Sequence, residues 1–122
     1  MAIMRVLVSN EPRVYREVLA AALQEMRPAA EVEMVDPTAL DAEIVSKKPG
    51  LVFCSALTDA IRRGASAWVL LYPEGEGRAV LGVGNRERDI ANVDFSALLA
   101  VVDQAAARAS TDGPPTTGVA PS

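Results

Sequence analysis

Apolar residues along this chain cluster in short runs whose spacing changes between strand-like and helix-like. Arg5-Val6-Leu7-Val8-Ser9-Asn10 is a β-branched apolar run that empties into polar residues, the pattern of a parallel strand buried on both faces. From Pro12 to Met26 the apolar positions Val14, Val18, Leu19, Ala22, Leu23 and Met26 recur at helical spacing and predict one apolar helix face, with Pro12 in the first turn, where its missing N–H costs nothing. Pro28 ends that helix, and Glu31-Val32-Glu33-Met34-Val35 alternates as a half-exposed edge strand does.

Asp36-Pro37 reads as an N-cap and first-turn proline opening a helix through Ala39, Leu40, Ile44 and Val45 that Pro49-Gly50 closes. Leu51-Val52-Phe53-Cys54-Ser55 is a second fully apolar strand. A short helix from about Thr58 to Arg63, closed by Gly64, leads into a third strand, Ala67 to Tyr72. Ala79 to Val83 is again strand-like, and the seven residues between Tyr72 and Val80 are too few for the helical crossover that parallel strands need. A β-hairpin is therefore expected here, with the fourth helix of a regular alternation missing. Gly84 to Asn92 is polar and charged, and a last helix runs from about Asp94, its N-cap, to Ala109 with Phe95, Leu98, Leu99, Val102 and Ala106 on one face. The residues from Ser110 to Ser122, rich in Pro, Thr, Gly and Ser, lack the apolar content that offsets ordering entropy and read as a disordered tail.

The alternation predicts one α/β domain over residues 1–109: a flavodoxin-like three-layer sandwich of about five strands in the order 2-1-3-4-5. At 122 residues, half of them apolar, the chain can bury a core without disulfides or metals. No apolar run approaches a membrane span, and no leader pattern precedes the first strand, so a soluble cytoplasmic protein is expected.

Composition narrows the chemistry. A net charge of -4 is the wrong sign for a domain that lives on phosphate backbones, so nucleic acid is not an expected partner. The chain contains no histidine, which removes the commonest general base and metal ligand and every Ser-His or Cys-His pair. Its single cysteine, Cys54, sits within an apolar strand and reads as a core hydrophobe. Trp68 fits a core strand better than an interface anchor, and Gly75, Gly77, Gly82 and Gly84 match no nucleotide-binding spacing and read as turn residues. Neither an enzyme, nor a metal site, nor a cofactor is expected.

Ligands of doubly wound sheets bind beyond the carboxyl ends of the central strands. Those ends carry Ser9-Asn10-Glu11 and Ser55, within Val8-Ser9-Asn10-Glu11-Pro12 and Pro49-Gly50-Leu51-Val52-Phe53-Cys54-Ser55. At these positions the chain, over roughly residues 4 to 109, resembles the receiver domains of two-component response regulators. In that family the first strand ends in an acidic pair and the third in the phosphorylated aspartate; here Ser9 and Asn10 replace the pair and Ser55 stands at the phosphoacceptor position. The family's hydroxyl after the fourth strand has only Tyr72 as a counterpart, and no lysine follows Lys48 to stand for the one after the fifth.

Aspartyl phosphorylation needs Mg²⁺ held by carboxylate oxygens, and among these residues only Glu11 offers one. The resemblance thus implies a degenerate, phosphorylation-independent pseudo-receiver, a signalling domain that works through protein–protein contact, including contact with a second copy of itself. The alternative is a small-molecule sensor that uses the vacated pocket at Ser9, Asn10, Glu11, Ser55 and Tyr72 for a neutral or weakly polar ligand.

Overall fold

Val6, Leu7 and Val8 have no exposed surface, which for consecutive strand residues requires cover on both faces of the sheet. The computed structural model, which describes residues 4–71, 78–84 and 86–111, supplies that cover with helices on either side. The elements run β1 (Arg5–Ser9), α1 (Arg13–Met26), β2 (Glu31–Met34), a 3₁₀ turn (Pro37–Ala39), α2 (Leu40–Lys47), β3 (Leu51–Cys54), α3 (Asp59–Gly64), β4 (Ala67–Leu71), β5 (Ala79–Val83), β6 (Arg86–Ile90) and α4 (Phe95–Thr111). The strands form one sheet in the order β2-β1-β3-β4-β5-β6.

The first four strands in that order are parallel, whereas β4–β5 and β5–β6 are antiparallel. The expected hairpin after β4 is therefore present, and Asp94 caps as expected, accepting the Ala97 N–H at 2.9 Å; Asp36 accepts the Thr38 N–H at 2.9 Å, but what it opens is the 3₁₀ turn, and α2 starts only at Leu40. The α/β class and the order 2-1-3-4-5 hold, but the sheet is mixed and has a sixth strand. The charged stretch Arg86-Glu87-Arg88-Asp89 has no apolar period from which to expect a strand; as an edge strand with almost every residue exposed it needs none. Its ladder to β5, Gly82 opposite Glu87 and Leu81 opposite Arg88, comes from backbone bonds that side-chain hydropathy does not report.

Strand alternation sends side chains to two cores. Val6, Val8, Leu51, Phe53, Ala67, Val69, Leu71 and Leu81 face α1 and α4, whereas Leu7, Val52, Cys54 and Trp68 face α2 and α3 with Ile44 and Ile61. The predicted face of α1 needs correcting. Its buried residues are Arg16, Leu19, Ala20 and Leu23, while Val14, Val18 and Met26 are exposed. Apolar residues occupy almost the whole circumference of this helix, so periodicity alone does not choose the inward side.

Gly82 also departs from expectation. It lies inside β5, where a Cβ would fall 2.0 Å from Trp68 Cε2, so its role is to admit the indole and not to make a turn. Gly84, at φ 61°, is the turn glycine. The final helix extends to Thr111; Tyr72, Gly75, Gly77 and residues 112–122 lie outside the described residues, as therefore does most of the tail expected to be disordered. Among the described residues no helix is long and apolar enough to cross a membrane.

Candidate functional site

The β1 and β3 carboxyl ends are brought side by side by their register, Ser9 opposite Cys54, so the loops that follow them meet. Ser55 Oγ accepts the backbone N–H of Glu11 at 2.9 Å and lies 3.5 Å from Asn10 Nδ2. The Ser55 hydroxyl thus ties one loop to the next. Ser9 and Asn10 are buried, at 2% and 0% exposure, while Glu11 is exposed. The structure joins four of the five expected site residues, Ser9, Asn10, Glu11 and Ser55; Tyr72 lies outside the described residues.

The chemistry available at this junction is limited. Two of its oxygens, Ser9 Oγ and Asn10 Oδ1, are buried without a hydrogen-bond partner, a cost of about 1–3 kcal/mol each. No group of three or more metal-ligating side chains occurs among the described residues. Neither buried side chain is a carboxylate, and Glu11 points its charge toward solvent-exposed surroundings, so hard-cation coordination has too few oxygens. Three cavities among the described residues are lined elsewhere.

Cys54 is likewise chemically quiet. Burial pushes its thiol up to about 12, with a backbone bond from Ala56 opposing the shift, and its S–H points to the Val69 carbonyl at 3.7 Å. A thiol so placed is a packing group and not a nucleophile.

Two surface features were not foreseen. The first is an apolar stripe on α1, where Val14 and Val18, one turn apart, are 68% and 63% exposed. Tyr15 and Val18 form one wall of a groove of about 350 Å³ whose other wall is Val93, Phe95 and Leu98. Burial raises the Tyr15 hydroxyl above its ordinary pKa, which keeps it neutral.

The second is a cavity of about 300 Å³ beside the carboxyl end of β2, lined by Arg13, Arg16, Met34, Val35 and Asp36. Arg16 is only 6% exposed, and its Nη1 donates to the Val35 carbonyl at 3.2 Å. Asp36 Oδ1 accepts the Thr38 N–H at 2.9 Å and the Thr38 hydroxyl at 2.8 Å. These bonds, with the nearby charges of Arg16 and Arg13, hold the Asp36 carboxyl below its ordinary pKa and keep it ionised. Arg16 precedes Leu19, Ala20 and Leu23 at the i+3, i+4 and i+7 spacing of one helix face, a spacing that signals its burial only once that face is known to be the inward one. No protein-family model matches the chain, and no curated protein matches it.

Proposed function

We propose that this protein is a phosphorylation-independent, receiver-like regulatory domain of the signal-transduction type, and that it acts by binding another protein, a second copy of itself first of all. The observation that carries the reading is the exposed stripe of Val14 and Val18 beside the groove under Tyr15 and Phe95, since contiguous apolar surface of this kind marks a binding face. The carboxyl end of the sheet supports the negative half of the reading: Ser55 is engaged with the Glu11 backbone, and the carboxylates that would hold Mg²⁺ are replaced by Ser9 and Asn10.

Contact through the sheet edge is disfavoured on charge. Antiparallel pairing of β6 with its own copy about Arg88 sets Arg88 against Arg88 and Glu87 against Asp89, and like charges directly opposite destabilise a ladder. Helix α1 is the better face.

Analytical ultracentrifugation of the chain and of a Val14→Asp, Val18→Asp double variant tests this. The expected outcome is self-association of the unaltered chain that the variant abolishes while keeping its circular dichroism spectrum. Identical sedimentation of the two across the accessible concentration range removes the second copy as partner.

A further inference from the structure

Burying a guanidinium without an ion pair is costly, by several kcal/mol per ion even after relaxation. Arg16 is in that position: at 6% exposure it makes a hydrogen bond to the Val35 carbonyl and no ion pair with any described residue. The carboxylate that shares its cavity, Asp36, spends Oδ1 on Thr38 and leaves Oδ2 without a partner there. None of the Arg16 nitrogens is a sealed, unsatisfied atom, so the donors that Val35 does not use keep solvent access, and Arg16 is among the residues that line the cavity.

Two further features face the same way. Arg13, the first residue of α1, lines the cavity as well; its Nε is held by Glu17 at 2.9 Å, which leaves its terminal nitrogens for another acceptor. The N-terminus of α1 has no side-chain cap and no acidic residue in its first turn, although this helix runs for 14 residues and its open N–H groups favour a negative partner. The cavity thus offers two guanidiniums for an anion and, at Asp36, one acceptor for a hydroxyl.

We infer that the cleft between α1 and the end of β2 is a binding site for a small phosphorylated polyol. Its phosphoryl oxygens are taken by Arg16 and Arg13, and a neighbouring hydroxyl donates to Asp36 Oδ2. A volume of about 300 Å³ is at the small end for ligand sites and accommodates a sugar phosphate. The site adjoins the resemblance-derived pocket without using it: Val35 N–H bonds to the Val8 carbonyl, so the cleft lies on the β2 side of β1, away from Ser55 on the β3 side. It is independent of the contact face proposed on α1.

Isothermal titration calorimetry with ribose 5-phosphate, adenosine 5′-monophosphate, inorganic phosphate and ribose tests the site. The expected order is ribose 5-phosphate tightest, inorganic phosphate weaker, adenosine 5′-monophosphate weaker than ribose 5-phosphate, and no heat from ribose. Arg13→Gln, at an exposed position that does not support the core, is expected to weaken ribose 5-phosphate about tenfold or more with the melting temperature unchanged, the scale of a lost charge-assisted bond. Asp36→Asn is expected to weaken ribose 5-phosphate but not inorganic phosphate. Absence of ribose 5-phosphate binding at millimolar concentration, or an affinity for it unchanged in Arg13→Gln, overturns the assignment; ribose binding as tightly as its phosphate does so too.

Discussion

The two faces of the sheet are covered by different means. On one, the long helices α1 and α4 lie over a core that reaches from Val6 and Val8 across to Leu81. On the other, the short helices α2 and α3 cover Leu7, Val52 and Cys54, and beyond β4 the roof is a side chain: Trp68 lies in the notch that Gly82 leaves, with Arg62 over its ring at 5.6 Å. Arg62 also pairs with Glu87 on β6, so this small stack reaches the edge of the sheet. A regular doubly wound fold puts a helix there. Here the last strands are antiparallel neighbours without a helical crossover's length between β4 and β5, and an indole, a glycine and an arginine do the covering.

That difference can be broken deliberately. Phe53→Ala on the helix-roofed face and Trp68→Ala on the other should each cost about 3–5 kcal/mol, because both leave large cavities. Their local effects should differ: native-state hydrogen exchange should speed up selectively in β5 and β6 for Trp68→Ala, and across the sheet for Phe53→Ala. Gly82→Ala should lose about 1–3 kcal/mol in urea unfolding, since the added methyl meets the indole.

The third test uses Cys54 on the α2/α3 face. Its folded pKa, about 12, is raised above the unfolded value of 9.0, so the unfolded thiol ionises first and the folded state binds the extra proton. Stability from this group is unaffected below about pH 9 and should then fall by about 1.4 kcal/mol per pH unit until pH approaches 12. Urea midpoints of the native chain and Cys54→Ala between pH 8 and pH 10.5 check the sign: only the native chain should show this component. The smallest effect expected is from Arg62→Ala, about 0.5–1 kcal/mol, because its cation–π contact and its pair with Glu87 are both at the surface.

How far the sequence speaks follows from which forces leave a mark in it. Buried strands such as Leu51–Cys54, the Asp36 and Asp94 caps, and the hairpin implied by the short link after Leu71 were legible, because burial, capping and loop length each constrain residue type or number. Strand β6 was not, since an exposed edge is held mainly by backbone bonds, which leave no apolar period in the sequence. Nor was the inward face of α1, where Val14 and Val18 mimic a core stripe. At the candidate site the proximity of Ser9, Asn10, Glu11 and Ser55 followed from topology, but the link from Glu11 N–H to Ser55 Oγ and the buried Arg16 depend on side-chain placement that spacing does not encode.

The proposed function has the domain working without phosphotransfer. The most direct test is to incubate the full chain with acetyl phosphate and Mg²⁺ and measure its intact mass. The expected mass is unchanged from that of the untreated chain at every time point. A stoichiometric phosphoryl adduct that is lost in Ser55→Ala, or on mutation of an acidic residue such as Glu11, would contradict it.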